Sequence, residues 1–377
     1  MLVFAVLLTA YVFCRTVLPL RIHPGWKAAL GVAIAVVAFK FHLLYLIGGP
    51  MFFAPELPKL LLRLAAWLFA SLFLFFFLLL AADLLRLAAW PFLRGARKRD
   101  PKKFRRMDNR IHLGILLFCL LLAGVGLGAG TALPAVRERE IVCASLPPEA
   151  ENLTIAVLAD LHADGQTGAE RIGRIVERTN AIHPDLIVIV GDFVDGTVES
   201  RAADLEPLRN LSARLGVFGV PGNHEYYSGY REWMEFLPTL GIEMLENRAR
   251  MLPETGIALG GVTDPGAGRF NLPGPDPAAT FAGVPPEAFR LLLAHQPRVA
   301  PEAERAGVKL QISGHTHGGM ILGVDRMVAS FNAGFVSGVY RLGEMILFVT
   351  NGSSIWNGFP IRLGVPSEIP LLRLKRR

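Results

Sequence analysis

The order of apolar and polar positions changes character about a third of the way along the chain. In the first part, apolar runs recur at the length of a bilayer crossing. Residues 28–47, 64–82 and 111–133 each supply the roughly 20 largely apolar residues that a helix needs to traverse a hydrocarbon core of about 30 Å. Residues 1–20 make a fourth run, interrupted by Arg15. The pattern predicts an all-α transmembrane region of about four helices over 1–133. From residue 153 onward, short β-rich runs alternate with amphipathic stretches, which predicts an α/β domain with parallel or mixed sheet. Strands are expected at 153–159, 186–190, 216–220, 257–262, 290–293, 309–313 and 345–350, and helices at 169–180, 202–215, 230–240 and 301–306. Pro and Gly gather in 264–286, which reads as a long surface loop, and 134–150 reads as a linker between a region at 1–133 and a domain at 151–377.

Charge sharpens the division. Residues 1–130 carry 16 Lys and Arg against 4 Asp and Glu, while the rest carries 23 against 28, so the net +7 belongs to the first part alone. Nine of those cations lie in 91–110, between two apolar runs. Lys and Arg in short loops are retained on the cytoplasmic side, which places this loop inside and everything after about residue 131 outside. Phe92 and Phe104 are too few aromatics for stacking bases, so the loop reads as a topology signal attracted to anionic membrane lipids, and no nucleic-acid partner is expected. Lys40 and His42 fall within one run and Asp83 near the end of another, at different depths. No set of polar partners for a transport path is evident, and structural accommodation is expected. Cys14, Cys119 and Cys143 give no disulfide framework.

The predicted strands are followed by polar clusters. Asp160-Leu161-His162, Gly191-Asp192 with Asp195, Gly222-Asn223-His224-Glu225, His295, and Gly314-His315-Thr316-His317-Gly318-Gly319 stand at five strand ends, where α/β sheets place their sites. These clusters offer nitrogen and oxygen donors and no thiolate, which suits Mn, Fe or Zn in a catalytic rather than a sulfur-ligated structural site. In Asp160-x-His162 and His315-x-His317 the side chains are two apart, so extended backbone would turn both to one face. A carboxylate such as Asp192 has two oxygens and can serve two cations.

Together Asp160-x-His162, Gly191-Asp192-x-x-Asp195, Gly222-Asn223-His224-Glu225, His295 and Gly314-His315-x-His317 resemble the calcineurin-like metallophosphoesterase family. The resemblance spans about 153–320. Pro360-Ile361-Arg362 and Pro366-Ser367-Glu368-Ile369 are similar to the tail of its membrane-associated bacterial branch. Glu225 departs from the Asp of many members, and Met320 from the Gln of that branch. The resemblance implies a β-sandwich flanked by helices and two divalent metal ions. Asp160, His162 and His317 would hold one ion, Asn223, His295 and His315 the other, and Asp192 would bridge. It also implies a shared water activated as the nucleophile on a phosphodiester, with His224 as proton donor to the leaving oxygen. Asp195 is expected either to orient a neighbour or to sit as a surface turn carboxylate, Arg362 either to clamp a phosphate oxygen or to form a surface ion pair, Asp164 to stabilise its loop, and Tyr226 and Tyr227 to pack.

The expectation is a multi-pass protein of a bacterial inner membrane with an extracytoplasmic hydrolase domain. It would act on phosphodiester or pyrophosphate bonds of a phosphorylated small molecule or lipid. The competing expectation is a membrane sensor or scaffold that binds metal or phosphoryl ligands without turnover.

Overall fold

The computed structural model describes residues 2–48, 55, 57–356 and 358–377. It divides into two units, Met1–Gly128 and Ala129–Arg377.

The first unit is helical. Two helices, Lys59–Ala88 and Pro101–Thr131, are long and apolar enough to cross a membrane, and they contain most of the expected runs 64–82 and 111–133. The run 28–47 is not one straight helix: Pro24–Ala38 and Lys40–Leu46 meet at a bend of 72°. Residues 1–20 yield only the short apolar stretch Leu2–Val17. Leu8, Val12, Ala38, Leu72, Phe75, Leu79 and Cys119 pack at the centre of the unit. Large apolar side chains such as Leu46, Leu60 and Leu121 face outward on its helices, a distribution that suits lipid better than water. Lys40 is buried with its ammonium over the rings of Phe41 and Phe69, at 4.7 and 5.3 Å from their centroids.

Folding also creates a polar set that the sequence pattern concealed. Arg15 grips Asp83 with two bonds, at 2.5 and 2.6 Å, and the Tyr11 hydroxyl donates to the same carboxylate at 2.7 Å. Arg86 joins Asp83 at 3.1 Å to Asp108 at 3.0 Å. Asp83 therefore pairs with Arg15 from the first helix and not with Lys40.

The second unit holds twelve described strands in chain order: β1 (Ala135–Cys143), β2 (Thr154–Leu158), β3 (Leu186–Val190), β4 (Val217–Val220), β5 (Glu243–Met244), β6 (Arg248–Met251), β7 (Ile257–Gly261), β8 (Phe289–Leu293), β9 (Leu310–Ser313), β10 (Gly338–Leu342), β11 (Met345–Val349) and β12 (Glu368–Arg376). They form two six-stranded sheets, ordered β1-β12-β2-β3-β4-β5 and β10-β11-β9-β8-β7-β6. Alternate residues of each strand face opposite ways, which builds the layers. Ile155, Val157, Val188 and Val190 meet Leu259, Leu291, Ile312 and Phe348 between the sheets. Ala156, Leu158, Ile187 and Ile189 pack outward against Ile172 and Ile175 of helix Ala169–Asn180 and against Trp233. Helix Ala300–Arg305 covers Leu292 and Leu347 of the other sheet. The product is a β-sandwich flanked by helices.

The segment 134–150 is not a free linker. Most of it is β1, paired in parallel with β12 from Ala135–Glu368 to Cys143–Arg376. Residues 264–286 are also more ordered than a plain loop, holding a 3-10 turn at Pro265–Phe270 and a helical turn at Pro277–Thr280.

Candidate metal centre

The carboxyl ends of β2, β3, β4, β8 and β9 converge, and each is followed at once by one of the polar clusters. Hydrogen bonds tie the first two loops together, from the Asp160 N–H to the Gly191 carbonyl at 3.1 Å and from the His162 N–H to the Asp192 carbonyl at 3.0 Å. Two glycines make the close approach possible. Gly191 has φ 80°, and a Cβ there would meet His295 Nδ1 at 2.5 Å. A Cβ on Gly222 would run into the Asp192 carboxylate.

The donors reach the centre through turns rather than extended backbone. Asp160, His162, Asp192, His315 and His317 have φ of 54, 44, 55, 71 and 49°, in the left-handed region that L-residues seldom enter. Each such residue costs about 1–3 kcal/mol, and the surrounding sheets hold five of them at one spot. Asp160 and His162 do share a side, but a left-handed turn puts them there, as another does for His315 and His317.

Three overlapping donor sets result: Asp160, His162 and His317; His162, Asp192 and His224; and Asp192, His295 and His315. Within each set, donor atoms lie within 4.8 Å of one another. His162 Nε2 stands 3.1 Å from His317 Nε2, and His295 Nε2 stands 3.2 Å from His315 Nδ1. Asp192 Oδ2 lies 3.2 Å from His295 Nε2 and 3.7 Å from His162 Nε2, so it faces both clusters. Asn223 Oδ1 is buried and has no hydrogen-bond partner among the described residues. The His295 Nδ1–H donates to the Val190 carbonyl at 2.7 Å, which leaves the lone pair of Nε2 turned toward the centre. Nitrogen and oxygen lone pairs packed this closely repel unless cations separate them, so the donor set fits a pair of divalent metal ions.

The electrostatics sort these groups. Burial drives His315 down to about 3. Burial also holds His317 well below its ordinary value, helped by the charge of Arg362. Both are therefore neutral and free to act as donors. Burial alone would lower His224 as well, but the carboxylates of Asp195 and Asp192 outweigh it and raise its pKa to about 9. Asp195 contacts His224 Nδ1 with one oxygen and lies 3.2 Å from His162 Nδ1 with the other. Despite complete burial, the two imidazoles hold its pKa near 2. His224 thus sits among the donors as a proton carrier backed by Asp195.

Arg362 is not placed to clamp a phosphate. Its guanidinium is buried and donates to the carbonyls of His317, Val365, Asn351 and Ser354 at 3.1, 3.2, 2.7 and 2.8 Å, so it braces the His317 loop from beneath. Asp164 accepts the N–H groups of Gln166 and Thr167 at 2.8 and 2.7 Å, within its own loop. Tyr226 is buried and stacks on Tyr230, whereas Tyr227 meets the His224 ring edge-on at 5.5 Å and Trp356 stands 6.1 Å from the same ring.

Two buried carboxylates have roles that the sequence did not assign. Glu225 accepts the N–H groups of Asp192, Phe193 and Gly222 at 3.0, 2.7 and 2.6 Å, fixing the loop that carries Asp192. The Gly-x-x-Glu spacing at the start of a helical turn was the available signal. Asp264 accepts from Gln296 at 2.9 Å, next to His295, although it had been assigned to an exposed loop.

The model of the calcineurin-like phosphoesterase domain matches residues 153–319. A bovine (Bos taurus) protein described as a transmembrane protein with metallophosphoesterase domain is 30% identical over 97% of this chain and 86% of its own. The zebrafish (Danio rerio) protein of the same description is 35% identical over 69% of this chain, and the match spans 62% of that relative's length. An uncharacterized metallophosphoesterase of Helicobacter pylori strain J99 is 34% identical over 73% of each chain. With its two apolar helices, the chain is a membrane-associated member of the calcineurin-like metallophosphoesterase family, hydrolases that act on phosphoric ester bonds.

Proposed function

We propose that this protein is a membrane-anchored phosphoesterase that hydrolyses phosphodiester or pyrophosphate bonds of lipid-linked or envelope substrates. The reading is carried by one observation, the meeting of two histidine pairs across a shared Asp192 carboxylate. Asp160, His162 and His317 would hold one divalent ion, Asn223, His295 and His315 the other, and Asp192 would serve both. Two such cations supply charge neutralisation for a phosphate and a water acidified toward neutral pH. His224 gives its proton to the leaving oxygen, and Asp195 holds its ring in line and stabilises its charge. Glu225 keeps the Asp192 loop in register.

An amphiphilic substrate is supported by the rim. The stretch that follows His317 exposes Leu322, Met327 and Phe331, and helix Asp325–Phe331 buries none of its residues. Tyr227 and Phe270, with ring centroids 5.8 Å apart, add an aromatic flank beside His224.

In this reading the helical unit makes about four crossings of a bacterial inner membrane. Loop 91–110 is cytoplasmic and the hydrolase domain lies on the outer side. Protease added to intact spheroplasts then removes the Ala129–Arg377 unit, and its survival there would reverse the orientation. Turnover of an aryl phosphodiester and an aryl phosphomonoester by the Mn²⁺-supplemented protein, with Asp192→Asn as control, tests the activity. Hydrolysis lost in the control supports the assignment. Absence of hydrolysis in a wild-type protein that retains metal would favour a sensor.

A further inference from the structure

Within the helical unit lies a second cavity with no part in hydrolysis. Its volume is about 710 Å³, in the range of small-molecule sites. Its walls come from the end of Lys59–Ala88, from Trp90–Arg99, from the start of Pro101–Thr131 and from Pro19 and Arg21.

The lining carries six cationic side chains and two carboxylates. Arg15 and Arg86 are neutralised by Asp83 and Asp108, and these ion pairs brace the wall. Four cations remain. Among the described residues, no carboxylate lies within ion-pair distance of Arg21, Arg97, Lys102 or Arg105. Unneutralised cations gathered around one concavity repel each other, and an anion bound between them removes that cost.

Apart from Asn109 and His112, the rest of the lining is apolar, with Leu87, Trp90, Leu93 and Phe104 beside the charges. Trp90 lies 5.5 Å from the Arg97 guanidinium, the arrangement of an aromatic ring at a membrane interface. Leu85, Leu87 and Phe92 are 72, 71 and 86% exposed on the same turns, so the charged concavity opens beside an apolar collar. A headgroup among the cations and acyl chains along the collar would satisfy both halves.

We propose that this cavity binds a phosphate group, and that it is shaped to take it as the headgroup of an anionic phospholipid. The site is separate from the metal centre and does not depend on the assignment of hydrolase activity.

The test uses the full-length protein in neutral detergent and three probes: dioctanoyl phosphatidate, dioctanoyl phosphatidylcholine and inorganic phosphate. Phosphatidate is expected to bind at least about tenfold more tightly than phosphatidylcholine. The triple variant Arg21→Gln, Lys102→Gln, Arg105→Gln is expected to erase that preference while turnover of a soluble aryl ester stays at the wild-type level. Phosphatidate is further expected to slow acylation of the Lys102 amine by an N-hydroxysuccinimide ester in the wild-type protein and to leave Lys98 unaffected. This readout decides the matter if the triple variant does not fold. Inorganic phosphate that protects Lys102 as well as the lipid does keeps the site and assigns it to a soluble ligand. Equal affinity for the two lipids, or no protection of Lys102 by either phosphate source, overturns the proposal.

Discussion

The two units each hold a polar cluster, half-buried in the helical unit and buried in the sandwich, and the clusters are built on opposite principles. In the helical unit, Arg15, Asp83, Arg86 and Asp108 alternate in sign, and every carboxylate there has a cation within 3.1 Å. In the sandwich, histidine nitrogens face histidine nitrogens at 3.1 and 3.2 Å, and an amide oxygen has no hydrogen-bond partner among the described residues. The first cluster is complete and lowers the energy of the fold. The second is incomplete without cations and raises it, as do its five left-handed residues. A polar cluster closed on itself belongs to architecture, whereas one that repels itself marks chemistry.

Substitutions at the two centres should therefore separate cleanly. Asp192→Asn removes the carboxylate shared by both donor sets, and is expected to cut kcat/KM on an aryl phosphodiester by about 10³-fold or more, with loss of bound metal. His224→Ala is expected to lower kcat by about 10²–10⁴-fold while metal content is kept, because its role is proton transfer. A variant that loses metal along with activity would make His224 a ligand instead. Asp83→Ala strands Arg15 and leaves Arg86 with Asp108 alone, and should destabilise the helical unit by about 2 kcal/mol, less than a fully buried pair because the partners are partly exposed. Thermal unfolding in detergent measures this, and hydrolysis of a soluble ester at low temperature should not change.

The smallest effect is at Asp185, whose carboxylate accepts the Thr154 N–H at 2.9 Å and hydroxyl at 2.8 Å. Its partial burial acts to raise its pKa, but these bonds and Arg214 outweigh that and hold it below the ordinary value. A carboxylate with a lowered native pKa stabilises the fold above its unfolded pKa and ceases to do so as pH falls through the native one. Asp185→Ala should thus cost about 1 kcal/mol at pH 7 and much less at pH 3, as measured by urea unfolding at each pH.

The parts of the fold legible in the sequence were those dominated by one physical pattern. The apolar stretch at 186–190 sits between turn residues and can only be a fully buried strand, which β3 is. The strands β1 and β12 escaped notice because Arg137-Glu138-Arg139-Glu140 and Pro370 through Arg376 look solvated or broken, and their ladders come from partners more than 200 residues away in sequence, β12 for β1, and β1 and β2 for β12. The bend after Ala38 was hidden for a similar reason, since hydropathy averages over a kink. At the site, residue types and order pointed to the donors, but not to the left-handed turns that bring them together. Arg362 was misread because an arginine that caps four buried carbonyls has the same appearance in sequence as one that binds phosphate.

The account stands on the fit of the sandwich's repelling donors to two cations, and metal analysis tests that most directly. Full-length protein purified with Mn²⁺ present and desalted should retain about two ions per chain by elemental mass spectrometry, and Asp192→Ala should retain clearly fewer. Wild-type protein that keeps fewer than about one ion, or the same content with and without Asp192, would contradict it.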